Sequence, residues 1–320
     1  MPAVTATAFG IILTGLLPVY AIAALGYVLR QRAVLSEPFM ADSAKLIFNF
    51  AAPATLFLAL AGTTPDTNAA PEFLVTSLAL LIGLTLLACV LTPVVVPERH
   101  HRGVFIQGAT RGNLLVAGLV FAHAIFGLEG LALASVPLGL YVVFNNIFSV
   151  WILKRYQDNR TDISPWQAWR DTLASPIVIA VFAGYLCSAL ELSLPTALVE
   201  TGDLLAKLTV PLILINVGGS FDLKQLRRPG AITWAAAIYK CLCMPVAGVA
   251  VAYILGFRNI ELAVIFLLLS APTSMISVVF TRMFGGDSAL AANIVLISSL
   301  LSFVTIAAGL VTLQSLGWIL

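Results

Sequence analysis

The stretch FIQGATRGNLLVAGLVF, residues 105–121, holds one charged side chain, Arg111, in an otherwise uncharged run, followed by the pair Gly112–Asn113. Glycine and asparagine tolerate non-helical backbone, so the stretch predicts a helix that breaks here. Asn113 is placed to cap the half that follows. A second stretch, SAPTS from Ser270 to Ser274, has the same character. Pro272 lacks an N–H and disfavours helix at Ala271, yet it suits the first position of a new helix. The hydroxyls of Thr273, Ser274 and Ser277 can bond backbone groups freed by the break. Inside a bilayer such breaks persist only where they are buried in protein or line a cavity.

The rest of the chain calls for a bilayer. It is 60% hydrophobic and 10% charged, with a mean hydropathy of +1.01, whereas soluble domains carry about 25% charged residues. Punctuation by Gly, Pro and charge predicts ten spans, at 8–29, 40–62, 72–96, 103–126, 130–153, 175–192, 198–220, 230–256, 260–284 and 286–316. The first span lacks a basic leader and reads as a retained helix. Cys89, Cys187, Cys241 and Cys243 fall inside spans and read as packing, with no disulfide framework. His100 and His101 lie in a basic loop and His123 stands alone, so no metal site and no cofactor are expected.

Loop charge orients the spans. Arg30, Arg32, Arg99, Arg102, Lys154, Arg155, Arg160, Arg170, Lys224, Arg227, Arg228 and Arg282 fall on one side, against Arg258 on the other. Positive-inside asymmetry then puts both termini on the non-cytoplasmic side of the membrane. Trp151, Trp166, Trp169, Trp234 and Trp318 sit at span ends or in the loop after span 5. The segment SPWQAWRDTL, from Ser164, reads as an amphipathic helix on the cytoplasmic surface.

The chain also repeats itself. A slide of 158 residues pairs Pro18 with Pro176, Gly26 with Gly184, Tyr27 with Tyr185 and Pro53 with Pro211. The same slide pairs Leu56 with Leu214, Phe126 with Phe284 and Gly127 with Gly285. Five spans per copy force the second copy upside down, which is the mark of a secondary transporter with a midplane site. The fold class expected is an all-α polytopic membrane protein of two inverted five-helix repeats. The first repeat covers 1–155, a cytoplasmic amphipathic linker 156–174, and the second repeat 175–320.

Span 4 runs outward and span 9 inward, so the N-termini of both second halves face the membrane centre. Their partial positive charge and free N–H groups suit a carboxylate. Arg111 lies roughly 12 Å past Gly103 along a helix, close to mid-bilayer, and a guanidinium can grip a carboxylate with two hydrogen bonds. Lys207 in span 7 and Lys240 in span 8 also lie within spans, and no acid lies deep enough to pair with them. Snorkelling or backbone bonding is the competing reading for all three cations. The pair Asn145–Asn146 in span 5 either faces the cavity or joins helices. Lys45 reads as interfacial. Cations, helix N-termini and amides without an acid favour an organic anion, and disfavour a carboxylate-liganded sodium site or an acidic proton relay.

RGN at Arg111, FGLEGLALA from Phe126 to Ala134, and the run SAPTSMISVVFTRMFGGDSALAANIVLISSLLS from Ser270 resemble bacterial members of the auxin efflux carrier family. So does the opening LPVYAIAALGYVLRQRAVLS from Leu17. That family includes permeases for malonate and other organic acids, with the plant PIN-FORMED carriers as distant relatives. The resemblance implies a bile acid symporter-like fold in which spans 4 and 9 cross at their interruptions and bind a carboxylate with help from span 5. Carried over, Asn113, Pro272 and Asn145 would occupy that site. Spans 1, 2, 6 and 7 (about 8–62 and 175–220) would form a homodimerising scaffold, and spans 3–5 and 8–10 (about 72–153 and 230–316) a moving transport domain. The plant crossing is Asn-Pro-Asn, whereas this chain has Arg111-Gly112-Asn113 and lacks the long cytoplasmic loop of many plant members.

The expected function is an elevator-type carrier of a small organic anion, such as a dicarboxylate. Its site would draw on Arg111, Gly112, Asn113, Asn145, Asn146, Pro272, Thr273, Ser274, Lys207 and Lys240. The expected partners are the anion, the lipid bilayer and a second copy, with no nucleic acid. A sodium-coupled carrier of the same architecture and a non-transporting anion receptor are the alternatives. The paired aspartates or Ser–His pair of an intramembrane hydrolase are missing from the pattern, so no enzyme is expected.

Overall fold

The computed structural model describes residues 17–62, 71–156, 166, 170, 173–220 and 230–319. The start of span 1, the loop cations Arg160, Lys224, Arg227 and Arg228, and most of the SPWQAWRDTL segment lie outside the described residues. Among the described residues the chain is helical, and its one β-type pairing is a two-residue bridge. In chain order the helices are α1 (Leu17–Gln31), α2 (Glu37–Ala61), α3 (Pro71–Val95), α4 (Arg99–Thr110) and α5 (Leu115–Tyr156). They continue as α6 (Pro176–Ala189), α7 (Thr196–Gly219), α8 (Ala231–Ile254), α9 (Asn259–Ser270), α10 (Ile276–Met283) and α11 (Ser288–Ser315).

Five of these, α2, α3, α5, α8 and α11, are long and apolar enough to cross a membrane, and α6 and α9 are shorter apolar helices. Large apolar side chains face outward, among them Val90 and Val94 of α3, Phe182 and Leu186 of α6 and Ile254 of α8. That inverts the surface of a soluble protein and marks a lipid-facing one. The chain is an integral membrane protein.

α5 doubles back on itself. Gly127 adopts φ 62 and ψ −148 between two helical arms, a region essentially restricted to glycine. Gly118 in the first arm lies against Leu138 in the second, so the arms run antiparallel about the bend. The first arm continues span 4 and the second is span 5. α9 is buried from Leu262 to Ser270 without a break, as expected of a helix apolar all round. α5, α8 and α11 enclose it through Gly118 on Leu268, Gly248 on Leu269 and Gly309 on Phe266.

The 158-residue offset reappears in the geometry. Gly26 of α1 packs on the backbone of Ile215 in α7, and Gly184 of α6 packs on the backbone of Phe57 in α2. Shifting the first pair by 158, one residue up and the other down, yields the second. Positive φ recurs in the same register, at Gly127 and Gly285 and at Ala33 and Glu191.

The candidate site at the helix crossing

α4 ends at Thr110, and Arg111 turns extended at φ −79 and ψ 97. Gly112 pairs antiparallel with Thr273 in the link between α9 and α10. The Asn113 N–H donates to Pro272 O at 2.6 Å, and the Ser274 N–H donates to Arg111 O at 3.0 Å. This pattern makes Gly112 and Thr273 the closer, non-hydrogen-bonded pair of an antiparallel ladder. A Cβ on Gly112 would lie 2.9 Å from Ala271 Cβ and 3.3 Å from Lys240 Nζ, so a side chain there would part the links. The two interruptions satisfy each other across the chain.

The bonding differs from the local expectation in two ways. Asn113 does not cap the second half through its side chain; its backbone carbonyl accepts from Ala117 N–H at 3.2 Å. Pro272 is not the first residue of a new helix, because α10 starts at Ile276. Hydrogen bonds between the two links have claimed their residues, so each restart slips downstream.

Side chains bond the carbonyls freed at the broken ends. The Thr273 hydroxyl donates to Gly108 O at 2.7 Å, and Lys240 Nζ donates to Leu269 O at 2.8 Å. The Thr273 N–H donates in turn to Ser298 Oγ at 3.0 Å. A helix end buried without such partners would leave several polar groups stranded.

Arg111 is 6% exposed and aimed at the second arm of α5. Its Nη1 donates to Asn145 O at 3.0 Å and to Ser149 Oγ at 2.8 Å, and its Nη2 donates to Asn146 Oδ1 at 2.5 Å. The guanidinium carbon lies 4.7 Å from the centre of the Phe280 ring of α10, within cation–π range. Three of the five guanidinium donors are thus spent on protein, and no carboxylate among the described residues pairs with it. It does not snorkel.

The residues bonded into the crossing and to Arg111 also carry polar groups with no hydrogen-bond partner among the described residues: the amides of Asn113 and Asn145, Nδ2 of Asn146 and the hydroxyl of Ser274. Arg111, Gly112, Asn113, Asn145, Asn146, Pro272, Thr273, Ser274 and Lys240 therefore form one connected cluster. Lys207 does not join it. It is exposed and lines a cavity of about 860 Å³ between α2, α5 and α7, with Thr55, His123, Glu129 and Asp203. The cavity reaches Leu119, roughly 9 Å beyond Asn113 along a helical rise.

Sequence reasoning overlooked Ser149, Phe280 and Ser298. Ser149 had a signal, since it lies four residues after Asn145 on the same helical face. The other two reach the crossing only through tertiary packing. The π-helical turns at Ile47–Ala51, Leu115–Phe121 and Tyr239–Cys243 were equally hidden; the last one carries Lys240. The loop histidines do gain companions, because Glu98, His100 and His101 come within mutual ligand distance. His101 there faces Glu98 at 2.7 Å and Asp287 at 3.3 Å. Lys45 pairs at the surface with Asp42 at 2.9 Å.

Crossed, broken helices cradling buried cations within a lipid-facing helical body define a polytopic transport protein. The chain belongs to the membrane transport protein family, whose profile matches residues 11–308, in agreement with the resemblance carried by the motifs. An uncharacterized transporter of Methanocaldococcus jannaschii is 23% identical over 312 residues, covering 92% of this chain and 94% of that protein.

Proposed function

We propose that this transporter carries a small organic anion, with the carboxylate held at the crossing of the two broken helices. The observation that carries the reading is the pairing of Gly112 with Thr273 beside two buried cations that have no carboxylate partner among the described residues. An anion would take the donors the protein leaves over: the Asn113 and Asn145 amides, Asn146 Nδ2, the Ser274 hydroxyl and the N–H groups opening each second half. Arg111 fixes Asn145, Asn146 and Ser149 in place. Its remaining Nε–H and Nη2–H suffice for one carboxylate, and its charge offsets that of the substrate.

The matched backbone angles and packing pairs at the 158-residue offset support two inverted repeats, with α1, α2, α6 and α7 as a dimerising scaffold. The other helices would then move past it, in the elevator sense, with the crossing as cargo site. The cavity between α2, α5 and α7 lies at the helix ends opposite the basic loops. It would serve as the non-cytoplasmic approach, where Lys207 offsets part of the negative charge of Glu129 and Asp203. The charge asymmetry of the loops supports termini outside the cytoplasm, with an inner membrane as the expected home.

Uptake of labelled malonate, succinate and monocarboxylates into proteoliposomes tests this. At least one should enter faster than into protein-free vesicles and exchange against internal unlabelled anion. If none of the panel enters or exchanges, the reading is wrong.

A further inference from the structure

Lys240 stands apart from the anion-facing groups. It lies in the π-helical turn Tyr239–Cys243 of α8 and is 1% exposed. Its ammonium donates to Leu269 O at 2.8 Å and lies 3.9 Å from the thioether of Met244. It also lies against the extended link at Gly112. The ammonium therefore occupies the C-terminal end of α9, beside the link that follows the C-terminal end of α4.

Both first half-helices bring their carbonyl ends to the crossing, and both second halves bring their N–H ends. The crossing thus gathers the negative ends of two half-helices and the positive ends of two others. Unwound carbonyls at a half-helix C-terminus are the groups that coordinate a free monovalent cation in broken-helix carriers. Here a lysine ammonium stands at that end.

We propose that Lys240 is a tethered cation filling a monovalent-cation site at the C-terminal end of α9, so that the crossing forms without a bound sodium ion. The consequence for transport, anion movement independent of sodium, rests on the carrier reading. The cation site itself does not, and its test needs no substrate.

The test is thermal unfolding of the full-length protein in detergent, with sodium, methylammonium or N-methylglucamine chloride at equal ionic strength. The native protein should melt alike in all three. Lys240→Ala should melt lower in N-methylglucamine and recover by at least roughly 2–4 °C, saturably, with sodium or methylammonium. Lys240→Gln keeps a donor for Leu269 O but no charge, and should stay below native in every salt.

The proposal is overturned if Lys240→Ala melts like native in N-methylglucamine, or melts lower and responds to neither cation. A saturable sodium shift in the native protein also overturns it. If Lys240→Ala yields no folded protein, Lys240→Gln decides: below native supports the charge requirement, and equality with native refutes it. Failure here would leave the carboxylate uptake measurement untouched, and the reverse also holds.

Discussion

Arg111 illustrates how a charge in an apolar run acquires its meaning from partners that the local sequence does not show. Its guanidinium is a strut between the end of α4 and the second arm of α5, bonded to a carbonyl, a hydroxyl and an amide. A lysine offers a point ammonium on a different stem and cannot span three such acceptors as a planar fork does. Arg111→Lys should therefore lower the melting temperature, with a loss on the order of 1.5–3 kcal/mol from unmade charge-assisted bonds. Transport should fall with it, since Asn145 and Asn146 lose their anchor. Melting unchanged from native would refute the strut. That a guanidinium would sit beside a helix break was legible in the sequence. The direction of the side chain was not, because Ser149 and Phe280 arrive from other elements.

At the level of elements, the breaks in spans 4 and 9 were readable from Gly112, Asn113 and Pro272, whose backbone preferences are local. The restart points were not, because the links hydrogen-bond to each other across some 160 positions of chain and override local capping. The bend in α5 has a purely local cause, and it makes a clean test. Gly127→Ala places a Cβ on a backbone of φ 62 and should cost about 1–3 kcal/mol, lowering the melting temperature. Gly83 of α3 has open space around it, and Gly83→Ala should be neutral or slightly stabilising. Equal melting of the two variants would show that the bend carries no strain. The π-helical turns left no trace in the sequence, since helices apolar nearly all round have no polar stripe whose register an extra residue per turn would shift.

At the level of the whole molecule, the offset of 158 gave the strongest advance signal. It was visible as paired prolines and glycines and reappears as paired packing contacts and paired backbone angles. Which helices would move is a matter of how two groups touch. α5 meets α6 where Gly139 faces Val181, and a Cβ on Gly139 would lie 3.5 Å from Val181 Cβ, at the near end of the range a disulfide spans. With the native cysteines replaced, Gly139→Cys combined with Val181→Cys should cross-link under oxidation and stop transport, and reduction should restore it. Full activity of the cross-linked protein would exclude sliding of α5 past α6. The scaffold assignment depends on that sliding.

The central claim is that an anion meets the protein at the crossing, and Asn113 is the place to measure it. Its side chain has no partner among the described residues, so removing the amide leaves no stranded bond behind, and Asn113→Ala should melt within about 0.5 kcal/mol of native. The measurement is concentration-dependent uptake of the best carboxylate substrate into proteoliposomes, native against Asn113→Ala, with melting recorded on the same preparations. The expected result is native-like melting with kcat/KM reduced roughly tenfold or more, the loss of one or two hydrogen bonds to a charged ligand. Identical uptake kinetics for the two proteins would contradict a carboxylate site at the crossing.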